Sequence, residues 1–317
     1  MNKSKPGGDR TPVVWLLTDN KPGHRNQLKG LGNRLRVLAG ASLYWIDTSL
    51  TPVPLWRALL GLPPALDPTL PRPNLIIAAG SRTHRLLLAL RRLRGARTVV
   101  VMKPGFPLGW VDAALIPAHD KVAAHRHVLT TVGVVNSMTP LARLTDKPEA
   151  LVLIGGPSRH YHWDSHRVFD QISQLMDRYP SWRWTLSGSR RTPPELQQRL
   201  LSLAGPKVTV VDPSTTHEHW LMHTLSASRV AWVTPDSSSM VHEAATSGVP
   251  TGLLELEPNP RSRVVAGNRI LLEQGRVARW QDHPEIMTAP HGTTTPLWEA
   301  DRCARWLIQT HLMRTAR

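Results

Sequence analysis

Short runs of Val, Ile and Leu recur along this chain, each closed by a turn and followed by a segment whose apolar residues return every three or four positions. An unbroken apolar run predicts a strand buried on both faces, and a period near 3.6 predicts an amphipathic helix, so the alternation points to parallel strands joined by crossover helices. The first unit has a strand over residues 13–18, a turn over 21–23, and a helix over 24–38 with Leu28, Leu31, Leu35 and Leu38 on one face. Further strands are expected at 42–46, 74–79, 98–102, 113–116 and 129–135, which makes one six-stranded layer, and the spacing predicts a helix over 82–94. The polar stretch 141–149, flanked and interrupted by Pro140 and Pro148, reads as a linker. The pattern then restarts, with strands expected at 151–154, 182–186, 208–211, 230–234 and 251–256. Helices are expected at 165–178, 194–203, 217–228, 238–247, 261–274 and 297–312. Two doubly wound α/β domains in tandem follow, 1–145 and 146–317, the last helix packing back on the first domain.

A length of 317 residues agrees, because a single core stops growing near roughly 250–300 residues. No apolar stretch approaches the ~18 residues of a membrane-spanning helix, and the run at 13–17 is too short for a signal-peptide core. A cytoplasmic location is therefore expected. The single cysteine, Cys303, excludes an internal disulfide and a cysteine metal cage. Charge changes the picture more. Residues 1–150 carry 21 basic against 8 acidic side chains, a net +13, and residues 151–317 carry only +3. Such a surface attracts anionic lipid, nucleic acid or a phosphorylated substrate. Arg makes up 31 of the 39 cations, which suits phosphate but is also what a GC-rich genome produces.

Phosphate loops of the GxxxxGK[ST] and GxGxxG types, the zinc-protease helix and the GxSxG elbow are absent from the sequence. The most informative stretch ends a strand at Pro235 and opens a helix with Asp236, Ser237, Ser238 and Ser239. A helix start of this kind binds anions through its unpaired N–H groups and dipole, and Asp236 or Ser237 can equally serve as a plain cap. A second strand end carries Gly155, Gly156 and Arg159. The glycines suit either close phosphate approach or a simple turn, and Arg159 suits a leaving diphosphate. A third strand ends in Ser187, Gly188, Ser189, Arg190 and Arg191, with Ser187 and Arg190 as the candidates there. At the first strand's edge, His24 can act as a base toward an acceptor hydroxyl or merely bond backbone, and it is grouped with Asp19 as the catalytic candidate. The pairs His160/His162 and His219/His223 supply two ligands each, too few for a zinc site, so no metal is expected. The arginines at 85, 91, 92 and 94, and the apolar cluster around Trp56, suit either a solvated face or an anionic membrane.

The run from Glu243 through Gly248 to Pro250 resembles the donor-site helix of glycosyltransferase-B enzymes, and its D-S-x-x-x-x-H-E arrangement is similar to that of heptosyltransferases. The resemblance implies that Glu243 accepts hydrogen bonds from ribose hydroxyls and that the small residues at the helix start hold a diphosphate. Along nearly its whole length the chain also resembles the bacterial members of the mitochondrial-fission Elm-type family. That likeness rests on K-P-G-H-x-N-Q at 21–27, A-G-S-R-T-H at 79–84, M-K-P-G at 102–105, L-I-G-G-P at 153–157 and T-P-D-S-x-S-M at 234–240. It implies a glycosyltransferase-B fold, two Rossmann-like domains facing a cleft. Plant members are adaptors for a dynamin-related protein, whereas bacterial ones are loosely described as nucleotide-sugar enzymes.

The resulting expectation is a metal-independent glycosyltransferase that takes a nucleoside-diphosphate sugar as substrate and needs no separate cofactor. Its acceptor is lipid-linked or phosphorylated, received at the inner face of a membrane by the basic first domain. The alternatives are a nucleotide-sugar epimerase on the same fold and a non-catalytic adaptor. Nucleic acid is disfavoured, because no recognised module is present and few aromatics lie among the arginines.

Overall fold

The computed structural model describes residues 11–123, 125–288 and 296–312, so the basic stretch 1–10 lies outside the described residues. The first half builds a parallel sheet from β1 (Val13–Thr18), β2 (Ser42–Asp47), β3 (Leu75–Ala79), β4 (Arg97–Val101), β5 (Ala113–Pro117) and β6 (Val128–Thr131), in the order β2-β1-β3-β4-β5-β6. Every residue of β3 and β5 is buried, which is why these strands read as unbroken apolar runs. On β1 the alternation sends Val14 and Leu16 to one face and Trp15 and Leu17 to the other. The first face is covered by α1 (Pro22–Ala39), which buries Leu28, Leu31 and Leu35. This helix starts on Pro22, whose missing N–H costs nothing there, and stops at Gly40 with φ 65°, where the glycine N–H meets the carbonyl of Arg36. The second face is covered by α2 (Leu55–Leu60) and α3 (His84–Leu90).

Two expectations in this half are corrected. The helix predicted over 82–94 is cut to seven residues: Ser81–Thr83 forms a 3₁₀ turn before it, and beyond Leu90 the chain turns through Gly95 at φ 85°. The strand predicted to reach 135 ends at Thr131, because the chain then leaves the sheet toward the second half, with Val135 still entering the first core.

The second half builds another parallel sheet from β7 (Glu149–Leu153), β9 (Arg183–Ser187), β10 (Val208–Val211), β11 (Val230–Val233) and β12 (Thr251–Leu253), in the order β10-β9-β7-β11-β12. A small antiparallel ribbon of β8 (Tyr161–His162) and β13 (Glu257–Pro258) is too short for any periodicity to announce. The connecting helices are α4 (Ser165–Arg178), α5 (Pro194–Leu201), α6 (Trp220–Ala227), α7 (Ser238–Ser247), α8 (Arg263–Glu273) and α9 (His283–Thr288). Asp164 caps α4 by accepting from His166 and Arg167, and Ser262 caps α8 in the same manner.

The stretch 141–149 is not a free tether. Leu141 donates its N–H to the carbonyl of Ser247 at 3.0 Å, and Met138, Leu141 and Leu144 pack into the second core, so sparse apolar anchors outweigh the polar composition. The chain finally returns: α10 (Glu299–Leu307) buries Ala300, Cys303, Ala304 and Leu307 in the first core against α1. Arg34 of α1 donates to Asp301 at 2.9 Å and lies 4.3 Å over the ring of Trp298. Among the described residues no helix is long and apolar enough to cross a membrane.

Candidate functional site

In an open parallel sheet the loops at the carboxyl ends diverge where the strand order reverses, and ligands bind in that crevice. The reversal in the first sheet lies between β1 and β3, and in the second between β7 and β11. Each crevice holds its own chemistry.

Between β1 and β3, His24 Nδ1 lies 2.9 Å from Asp19 Oδ1. Asp19 is 1% exposed and His24 21% at their side chains. A carboxylate on Nδ1 orients the imidazole and favours the tautomer that donates from Nδ1, which leaves Nε2 as the nitrogen without a hydrogen. The approach requires Gly80: its φ of 94° disfavours any L side chain, and a Cβ there would overlap His24 Nδ1. His84, at the start of α3, stacks edge-on against Phe106 with ring centroids 5.0 Å apart. Burial, and then the neighbouring His24, hold its pKa below the ordinary imidazole range. His84 was missed at the level of sequence, although the G-S-R-T-H run contains it.

Between β7 and β11 the paired glycines are seated against protein groups. Gly155 donates its N–H to Thr234 Oγ1 at 2.7 Å and Gly156 to Asp236 Oδ2 at 3.2 Å. A Cβ on Gly155 would strike the Asp236 carboxylate, and one on Gly156 the Arg191 carbonyl. These glycines give room to the Asp236 carboxylate and the Arg191 carbonyl. Asp236 is likewise internal, its carboxylate 1% exposed and paired with Arg191 at 2.7 Å. Ser187 is buried and turned to the Gly188 carbonyl, so it does not join the site. Arg190 is exposed and stands outside the depression, whereas its neighbour Arg191 lines it. One surface left open to a ligand is a depression of about 330 Å³ lined by residues 157–160, Arg191, 236–239 and Val264. It includes Arg159 and the start of α7, where Ser237 sits at the N-cap without a side-chain capping bond. Ser237, Ser238 and Ser239 at the helix start and the Arg159 guanidinium, beside an Arg191 already paired with Asp236, form an arrangement that suits an anion. His160, held by Ser262 at 2.8 Å, is kept toward its neutral form by burial and then by Arg159 and Arg191.

The two crevices are joined by Glu243 on α7. Asn26 on α1 donates to its Oε1 at 2.6 Å, while Asn26 Oδ1 accepts from the Ser137 N–H at 3.2 Å. Burial raises the Glu243 pKa to about 7, and the Asn26 bond opposes that rise. The adjacent His242 is fully buried and depressed to about 4 by burial. Among the described residues no group of three or more His, Cys, Asp or Glu is placed to hold a metal ion.

This architecture, two Rossmann-like domains with facing strand ends, is the glycosyltransferase-B fold shared by glycosyltransferases and nucleotide-sugar epimerases. The chain belongs to the mitochondrial fission ELM1 family, whose model matches residues 22–311. No curated protein matches the chain by sequence. Among solved structures, the UDP-GlcNAc 2-epimerase of Neisseria meningitidis, bound to UDP-GlcNAc, superposes with a TM-score of 0.56 at 11% identity, over 96% of this chain and 100% of that one. The UDP-GlcNAc 2-epimerase of Methanocaldococcus jannaschii, in complex with UDP-GlcNAc and UDP, gives 0.52 at 11% identity over 94% and 99%. The calicheamicin glycosyltransferase CalG4 gives 0.52 at 14% identity over 97% and 100%. At these identities the likeness is one of fold.

Proposed function

We propose that this protein binds a nucleoside-diphosphate sugar across the two crevices and transfers the sugar to an acceptor hydroxyl. The observation that carries the reading is the pairing of an anion site at the start of α7 with a shielded Asp19–His24 dyad in the facing domain, joined by Glu243. The diphosphate occupies the depression, against the α7 amides, Arg159 and Arg191, and Glu243 takes the ribose hydroxyls in place of Asn26. His24 Nε2 removes the acceptor proton as the acceptor oxygen bonds to the anomeric carbon. The bond from that carbon to the diphosphate oxygen breaks, and the diphosphate leaves with the electron pair. Fixed dipoles and cations aimed at that developing charge supply part of the roughly 8 kcal/mol or more that enzymes remove from a barrier.

Structural neighbours that carry UDP-GlcNAc support a nucleotide-sugar ligand, and the epimerases among them support a second reading, epimerisation of the same donor. Calorimetry with a panel of nucleoside diphosphates, with and without magnesium, tests the common element. Binding of at least one is expected, and absence of all binding leaves an adaptor. Product analysis with the donor that binds, in the presence and absence of acceptor extracts, separates transfer from epimerisation.

A further inference from the structure

The first domain carries an apolar protrusion that the site does not use. On α2 only Ala58 is buried; Leu55, Trp56, Leu59 and Leu60 are 48–57% exposed, and Leu62 after the helix is 43% exposed. Trp110 joins the same surface through Arg91, whose guanidinium lies 5.5 Å over its ring. A contiguous exposed patch of large apolar residues marks an interaction surface, because a protein with no partner there would turn these side chains inward. The patch is held rigidly. Arg91 donates to the carbonyls of Ala58 and Leu59 at the end of α2, and the helix closes on Gly61 at φ 67°. Packing of α2 on α3 leaves its leucines facing outward in a defined orientation.

The surroundings define the partner. Residues 50–111 contain nine cations and one acid, Asp67. Arg97 is paired with Asp112, whereas Arg57, Arg85, Arg92 and Arg94 form no ion pair among the described residues. A second copy of the chain would set these arginines against one another. A nucleic acid would take the arginines but leave the leucines in water. A bilayer with anionic headgroups satisfies both, the leucines and Trp56 entering the acyl boundary while the arginines meet phosphate. We propose that α2 with the flanking Arg57, Arg85, Arg92 and Arg94 is a docking face for an anionic membrane surface. The face also lies close to the first crevice: α3 runs from His84, beside His24, to the Arg91 that clamps α2, a span of roughly 10 Å for a seven-residue helix. An acceptor borne on a lipid would thus be presented near His24. That last step rests on the transferase reading; docking itself does not.

Flotation of the full chain with vesicles tests it. Protein should rise with vesicles of phosphatidylcholine and phosphatidylglycerol at low salt, and not with phosphatidylcholine alone. A variant carrying Leu55→Ser, Leu59→Ser and Leu60→Ser should lose up to about a thousandfold in partitioning, since each buried leucine supplies about a decade. A variant carrying Arg57→Gln, Arg85→Gln, Arg92→Gln and Arg94→Gln should lose a comparable amount together with most of the salt dependence. All these positions are exposed except Arg57, which is half-buried, and an unchanged thermal midpoint verifies folding in each variant. Equal binding to neutral vesicles, or no binding to anionic ones, overturns the proposal. So does unaltered binding by the leucine variant, which would reduce the effect to diffuse charge. Tight binding of an oligonucleotide without vesicle binding reassigns the face to nucleic acid, and self-association abolished by the leucine variant reassigns it to a second copy. Nucleotide calorimetry on the same variants should be unchanged, so failure of docking and failure of the donor reading are read separately.

Discussion

Glu243 carries a carboxyl that holds its proton well above the ordinary carboxylate range, because burial penalises the charge more than the Asn26 amide relieves it. Its pKa is about 7 in the folded chain against 4.5 for the free group. Between those values the native state binds more proton than the unfolded one, so this residue's contribution to stability is full below about pH 4.5 and is lost as the pH rises toward 7. Glu243→Gln removes the dependence. The variant should match the parent near pH 4 and exceed it by roughly 2 kcal/mol near pH 8, a figure reduced for partial water access, as read by urea unfolding at both values. A carboxylate accepts from two hydroxyls where a protonated acid accepts less well. Nucleoside diphosphate affinity should therefore rise with pH up to about 7, by at most about tenfold per unit, and this rise should vanish in Glu243→Gln.

At the scale of elements, the loops after β7, β9 and β11 form one interlocked unit around Asp236. Its carboxylate takes the Gly156 N–H and the Arg191 guanidinium, and Arg191 in turn donates to the carbonyls of Gly156 and Pro157. Ser189 and Thr192 donate to the Gly155 carbonyl from the other side. Asp236→Ala should therefore destabilise by about 2 kcal/mol, less than a fully buried pair because Arg191 is 42% exposed. Asp236→Asn keeps an acceptor for Gly156 and should cost about half as much. Denaturant midpoints of the two variants check the order. An equal loss in both would mean that the charge, not the hydrogen bond, orders the three loops.

For the molecule as a whole, the decisive packing event is the return of α10 to the first domain. Cys303 on α10 is fully buried between that helix and the first core, and burial pushes its thiol well above the ordinary range. A thiol reagent should modify native protein no faster than the first core opens, and the labelling rate should jump with denaturant at the midpoint of that core. Labelling at the rate of an exposed thiol in native buffer would show that α10 is not seated on α1. The same docking ties both ends of the described chain into one domain, so loss of residues 299–312 should expose the core lined by Leu31 and Leu35.

The alternation of apolar strands and amphipathic helices, and the small and charged residues at the strand ends, were legible in the sequence because each is a local record of burial. A strand covered on both faces must be apolar throughout, and a helix over a sheet must repeat near 3.6. The same logic located His24 and Asp19, which five residues of chain hold together, and the span of α7, which a glycine ends. Partnerships across the fold were not legible, since a side chain's direction depends on how distant elements dock. Arg190 and Arg191 are equivalent in composition, and only the turn after β9 aims the second at Asp236. The paired glycines look the same whether they admit phosphate or the Asp236 carboxylate. Asn26 meets Glu243 across 217 positions. The apolar cluster around Trp56 suits either a solvated face or a membrane in sequence, and only the seating of α2 on α3 through Arg91 shows its leucines turned outward. Local periodicity determines what must be covered, and long-range packing decides by what.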